Sequence, residues 1–337
     1  MISDINLSRQ SSVSVIVVGA GLSGLNAAKQ LSKHGLDFLI LEKSRGVGGR
    51  CATRRIQNIS FDHGAQFFTA HKPFFKSIAN DWLEKGHTRV WSNYFPSYNG
   101  ATKSDSDLYY CAPNGMNLLP KLISKDLNIK LATTVNSIER MQCGWIVKTN
   151  NGEEFKAKKI ILSLPLPQSL ALLNPNTKNE LIQTWPELMQ VEYESCFTIL
   201  ALLSGVSKVP QPGAIRVQGE VISWISDNTQ KFNNSSQSSL TINTNSSFTN
   251  KYFEAPHDEI ARIVLDEAKE WLGSKVVQWQ VHRWKYAKAI GFVGLPCVTF
   301  GEPTDLVLCG DYMQPPCGIE GSVLSGLAAA KALLKYD

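Results

Sequence analysis

Val13-Ser-Val-Ile-Val-Val18 runs without a break into Gly19-Ala-Gly21-Leu22-Ser23-Gly24, and this junction decides the fold. A continuous β-branched run suits a strand buried on both faces. The segment after it repeats Leu22, Leu25, Ala28 and Leu31 at helical steps and stops at Gly35, a residue suited to a helix C-terminus. Phe38 to Leu41 then reads as a second strand ending at Glu42. Strand, glycine turn, helix and strand within about thirty residues make a βαβ unit of the dinucleotide-binding kind. Each glycine has its own task there. Gly19 permits the tight turn, Gly21 lets a phosphate approach the backbone, and Gly24 lets the helix lie close to the strand. The N–H groups at the helix start, around Leu22 and Ser23, face the pyrophosphate. Glu42 stands where a carboxylate accepts both hydroxyls of an adenosine ribose and repels a 2′-phosphate, which selects FAD or NAD over NADP.

The flanking sequence chooses between these two. A plain NAD enzyme continues through further α/β units, whereas here Glu42 and Lys43 lead at once to Arg45-Gly-Val-Gly48-Gly49-Arg50. Paired glycines let the backbone pass close to a second part of a long cofactor, and Arg50 can fork onto its diphosphate. Asp62-His-Gly64-Ala65-Gln66-Phe67-Phe68 follows. At the far end, Leu306-Val-Leu-Cys-Gly310-Asp311 reads as a buried strand with a terminal acid suited to ribityl hydroxyls. Ile319-Glu320-Gly321-Ser322 opens a small-residue helix whose positive end can meet the flavin N1–C2=O edge.

These segments resemble the flavin-containing amine-oxidase superfamily, and more narrowly its renalase-type branch. The narrower likeness rests on Gly48-Gly49-Arg50, Asp62 to Ala70, Val221 to Asn228, His282-Arg283-Trp284 and Gly310-Asp311. The resemblance implies noncovalent FAD and a Rossmann-type FAD lobe beside a mixed α+β substrate lobe built on an antiparallel sheet. It also implies an oxidase that takes hydride from 2- and 6-dihydro isomers of NAD(P) and passes the electrons to O2. In proteins of this plan Val135 touches adenine. The expected lobes are 1–72 with 110–165 and 300–337 for the cofactor, and 73–109 with 166–299 for the substrate.

Oxidising a dihydropyridine produces an aromatic pyridinium, so position and field matter more than a catalytic base. No catalytic acid or base is assigned. Trp284 is expected to wall a nicotinamide ring, and Gln66, Asn228 and Asn243 to match its carboxamide. Two other readings stay open: an amine oxidase or desaturase, with Lys285 and Lys288 in the relevant region, and a binding protein on the same plan without turnover. The chain lacks an aromatic cage segment before the last helix, reading Pro315-Pro-Cys-Gly318 there.

Composition narrows the class further. The 337 residues are 43% hydrophobic and 19% charged, which suits a packed core and not a disordered chain. A net charge of +5 without a basic block suits an anionic small ligand and not a nucleic acid. No apolar run is long enough to cross a bilayer, and Met1 to Ser12 lacks a secretory apolar core. Seven cysteines without a CxxC pair suggest reduced thiols in the cytoplasm and no metal centre, with Cys297 and Cys317 the conceivable tethers.

Overall fold

The computed structural model describes residues 12–98, 107–232 and 237–335. Residues 1–11 of the segment read above for a leader, and residues 233–236 of the polar stretch 233–239, lie outside the described residues. The chain divides into two compact units. The first comprises Met1–Gly49, Pro120–Val191 and Gly291–Asp337; the second comprises Arg50–Leu119 and Glu192–Ile290.

The first unit is an α/β layer fold. Strands Leu306–Leu308, Glu154–Leu162, Ser12–Val18, Phe38–Leu41 and Ile129–Lys130 lie parallel in that order, with Val298–Phe300 antiparallel at one edge. Strands Val135–Arg140 and Trp145–Thr149 form an antiparallel meander with the first half of Glu154–Leu162. The first helix, Leu22–Lys33, and the last, Gly318–Leu334, pack together on this sheet. Their shared core includes Val15, Val17, Leu25, Ala28, Leu31, Ile161, Val307, Ala329 and Leu333. The first helix buries the Leu22, Leu25, Ala28 and Leu31 stripe read from the sequence and ends where Gly35 takes φ 73°.

The second unit is built on a mixed, mainly antiparallel sheet in the order Val276–Ala289, Tyr193–Leu203, Ser239–Thr244, Ile222–Asp227, Ala214–Val217 and Ser97–Tyr98. Side chains alternate across it, as the pleat requires. Phe197, Ile199, Ala201, Ile225, Leu240 and Ile242 join a core with Ile260 and Val264 of helix His257–Glu267. On Tyr193–Leu203 the intervening residues point the other way, where Leu200 and Leu202 meet Ile56 and Phe61 of the hairpin Thr53–Ile56/Ile59–Asp62.

The division does not fall at the boundaries expected from the sequence. Arg50–Asp62 lies in the second unit because its hairpin packs on that unit's sheet. Residues 166–191 stay in the first, where Leu173 bridges to Ile138 after the helix Leu166–Leu172. The helix Pro73–Glu84 buries Phe75, Ala79 and Trp82 and leaves Phe74 exposed.

Candidate functional site

In the first unit the parallel strands end level. Register pairs Val18 with both Leu41 and Leu162, and Leu162 with Leu308. Gly19, Glu42, Ser163 and Cys309 therefore begin one rim, the carboxyl edge at which open α/β sheets bind ligands. A side chain on Gly24 would meet the Gly19 carbonyl oxygen at 2.2 Å and Ser163 Oγ at 2.5 Å, so only glycine lets the helix sit this close. Ser163 Oγ donates to the carbonyls of Val18 and Gly19 and pins the turn. Gly21, by contrast, has open space where a side chain would project.

Two further segments close on this turn. Gly48 N–H donates to the Ala20 carbonyl at 2.8 Å, and a Cβ on Gly49 would stand 3.6 Å from Gly21 Cα. A Cβ on Gly326 would strike the Ser23 carbonyl oxygen at 2.1 Å, so the last helix lies against the start of the first. Gly310 and Asp311 follow the rim strand and are buried, with Gly310 N–H donating to Ser325 Oγ of that helix. Ile319, Glu320 and Gly321 are buried at its first turn, and Ser322 is half-buried.

Glu42 is buried, with its carboxylate held by two backbone donors. Ala20 N–H reaches Oε2 at 2.7 Å and Ser44 N–H reaches Oε1 at 2.8 Å. Each oxygen keeps acceptor capacity for a ribose hydroxyl. Lys43 is exposed beside it. Thr133 N–H donates to the Glu42 carbonyl, which sets Val135, two residues on, near the same turn. Open space at Gly21, backbone donors at the helix start and a fixed carboxylate fit an adenine dinucleotide. We expect Glu42→Ala to weaken FAD retention by about 1–3 kcal/mol, the worth of a charged hydrogen bond. Titration of apoprotein with FAD, followed by flavin fluorescence, measures this. Unchanged affinity would displace the ribose from Glu42.

The second unit carries a different cluster. Thr198 pairs in register with Asn243 on one side and His282 on the other, and its hydroxyl donates to Asn243 Oδ1 at 2.9 Å. Trp284 follows His282 on the same strand face, their rings 4.2 Å apart. Trp284 Nε1 donates to the His63 carbonyl, and its ring stacks on the His63 imidazole at 5.7 Å. His63 and His282 meet edge to face at 5.1 Å. Burial, then His282, then Arg54, lower the His63 pKa to about 4, and burial together with Arg54 also lowers that of His282. Both rings are therefore neutral at pH 7, and His63 Nδ1 has no hydrogen-bond partner among the described residues.

Of the four residues expected to touch substrate, the structure brings Trp284 and Asn243 together on this face. Gln66 and Asn228 have other work. Asn228 is fully buried, accepts from Asp62 N–H, and donates to the Ser239 carbonyl and Thr241 Oγ1. Gln66 donates to the carbonyls of Asp62 and Gly64 and accepts from Ser226 Oγ at 2.7 Å. The N–H donors of both amides are engaged by the chain itself, and each amide oxygen already accepts one hydrogen bond. Gly64 and Ala65 lie against the Arg50 carbonyl, and Arg50 itself donates to the carbonyls of Tyr286 and Ala287.

Lys231 escaped the sequence reading altogether. It is fully buried, pairs with Asp62 Oδ2 at 2.6 Å, donates to the Gln66 carbonyl, and lies 4.8 Å from the Trp91 ring centre. Asp62 Oδ1 also accepts from Thr53 Oγ1 and Met116 N–H. This knot fixes the segment that carries His63. His63, His282 and Ser163 were likewise unassigned, because only strand register and chain crossing bring them to their places. The half-buried Cys297, one conceivable tether, has its thiol pushed up to about 11 by burial, so it is not a ready thiolate. Among the described residues, no group of His, Cys, Asp and Glu could hold a metal, and no helix is long and apolar enough to cross a membrane.

The fold and the dinucleotide cradle together define a protein with a Rossmann-type cofactor unit. Residues 17–82 match the NAD(P)-binding Rossmann-like domain family, and residues 92–334 match the flavin containing amine oxidoreductase family. The chain belongs to the flavin-containing amine oxidoreductase family, and its cofactor is noncovalent FAD. It is 48% identical over 131 residues to polyamine oxidase 1 of Zea mays, a match covering 38% of this chain and 23% of that protein. It is also 47% identical over 49 residues to flavin-containing amine oxidase A of Sus scrofa, covering 14% and 9% of the two chains. The chain thus matches less than a quarter of either relative's length. The solved structure of wild-type putrescine oxidase bound to putrescine superposes with a TM-score of 0.70 at 14% identity, covering 96% of this chain and 99% of that one. At that identity the likeness is one of fold.

Proposed function

We propose that this flavoprotein oxidises a dihydronicotinamide, the 2- or 6-dihydro isomers of NAD(P), in the manner of the renalase-type branch, returning NAD(P)+ and reducing O2 to H2O2. FAD supplies the hydride acceptor at N5 and the route to O2. The chain's own part is binding and orientation. Glu42 and the glycine turn would hold the adenosine end of the cofactor. Gly310, Asp311 and the start of the last helix are assigned to the flavin end, where the helix's positive end favours negative charge.

The observation that carries this reading is the uncharged ring cluster of Trp284, His63 and His282 beside the Asn243 amide. Asn243 Oδ1 is engaged by Thr198, while its Nδ2 donates to no described residue and can meet a carboxamide oxygen. The Trp284 indole offers a stacking wall for a nicotinamide ring. A dihydropyridine gives up hydride without losing a proton to a side chain, so neutral imidazoles suffice. Cys51, Cys111, Cys143, Cys196, Cys297 and Cys309 are free thiols, as a reducing compartment keeps them, and we place the protein in the cytoplasm.

Amine oxidation is the second reading, favoured by the family match and by the likeness to polyamine oxidase 1. An anaerobic screen separates the two. Bleaching of the flavin absorbance is expected with 6-dihydro-NAD and not with benzylamine or putrescine. Bleaching by an amine alone would replace the first reading with the second.

A further inference from the structure

One part of the second unit has no role in the cluster described above. Phe67, Trp91, Phe95, Tyr109 and Trp224 form a box of five rings, with centroid separations from 4.7 Å for Phe95–Tyr109 to 6.4 Å for Phe67–Trp91. Trp91, Phe95, Tyr109 and Trp224 are buried, while Phe67 is half-buried. Two cations of the chain already border the box: Lys231, paired with Asp62, lies on Trp91, and Arg216 lies against three of the other rings. The Arg216 guanidinium lies 5.7 Å from the Tyr109 ring centre, 5.8 Å from Trp224 and 6.0 Å from Phe95, and it donates to Tyr109 Oη at 2.9 Å. Strand pairing sets it there, since Arg216 pairs in register with Trp224.

The box adjoins the candidate substrate face. Trp224 pairs in register with Asn243. Electron-rich ring faces within about 6 Å of one point attract a cation, and such boxes are the recognised chemistry for ammonium groups. A second positive charge brought beside Arg216 would meet repulsion at short range in a medium less polar than water.

We propose that Arg216 is a specificity-determining residue: seated in the aromatic box, it closes to alkylammonium compounds a site that the rings alone would open to them. The effect is to turn this face from cationic amines towards uncharged rings. The inference deepens the reading of a non-amine substrate, but its test measures cation binding and not turnover.

The FAD-loaded protein is titrated with tetramethylammonium while the fluorescence of its tryptophans is followed, Trp91 and Trp224 being in the box. Wild type is expected to show no saturable change up to ~10 mM, and Arg216→Ala to bind at least ~10-fold more tightly. Ethylguanidinium should refill the truncated box and displace the bound tetramethylammonium, and Arg216→Lys should remain closed. Should Arg216→Ala fail to fold, the uncharged Arg216→Gln is read in its place, with binding at least ~3-fold tighter than wild type. Equal binding by wild type and the folded neutral variant would overturn the proposal, as would no binding by either. A negative dihydronicotinamide screen would leave this outcome unaltered, so the two readings fail separately.

Discussion

Lys231→Met is expected to lower the stability of the protein by about 3–5 kcal/mol, the cost of leaving a buried carboxylate without its counter-charge. Asp62 and Lys231 are both fully buried, their charged atoms 2.6 Å apart. Methionine fills a similar volume and removes the charge. It leaves Asp62 Oδ2 without its cation and the Gln66 carbonyl without the ammonium donor, while Asp62 Oδ1 keeps Thr53 and Met116. The Asp62→Asn/Lys231→Met pair should recover most of the loss, since its amide oxygen can still accept from those two donors and no buried charge remains unmatched. Urea unfolding of the three proteins at pH 7 gives the comparison. A loss below about 1 kcal/mol in the single variant would mean that the charge finds compensation elsewhere.

Acidification should cost the protein roughly 3 kcal/mol through His63 alone, all of it between about pH 6.5 and 4. In the native state, burial, with His282 and then Arg54 adding their repulsion, lowers the imidazole pKa from 6.5 to about 4. As pH falls below 6.5 the unfolded chain takes up a proton that the folded chain refuses, so stability falls. The loss levels off once the folded imidazole also protonates, near pH 4. His282, lowered in the same direction, adds to the slope. His63→Phe keeps a flat ring against Trp284 and removes the titration, so its stability between pH 7 and 4 should fall less steeply by that amount. Parallel curves for the two proteins would assign the proton to another group.

These predictions rest on side chains that local sequence patterns do not single out. Asp62 and Lys231 are 169 positions apart. Lys231 sits in Asn228–Phe232, a five-residue helix whose sequence carries nothing to distinguish a buried lysine from a solvated one. Asp227 caps that helix by accepting from Thr229 N–H, and the cap sets the direction in which Lys231 projects. Asn228 and Gln66 illustrate the converse. Their amides looked suited to a carboxamide, yet both are committed to backbone groups and hydroxyls that only the folded chain brings near.

The cofactor cradle was legible because its parts are local. The first strand, Gly19, Gly21, Gly24 and Glu42 fall within one βαβ unit, whose geometry is set by glycine spacing and by strand and helix periodicity. The last helix was recognisable by its small residues, and the Gly326 contact with Ser23 gives the physical reason for them: two helix backbones approach too closely for a Cβ between them. The division of the chain was less legible. The hairpin at 53–62 and the helices at 166–184 follow the sheets on which they pack, and a boundary read along the chain does not record that choice.

By itself, then, the sequence determined the dinucleotide cradle and the α/β character of the unit that holds it. These depend on backbone geometry over a few consecutive residues. The tertiary structure alone decided which polar side chains are held by the chain. It also decided that His63 and His282 are neutral and that an arginine fills the aromatic box. Those properties depend on burial and on the field of neighbours that strand pairing brings together, as His282 is brought to His63, and neither exists until the strands have paired.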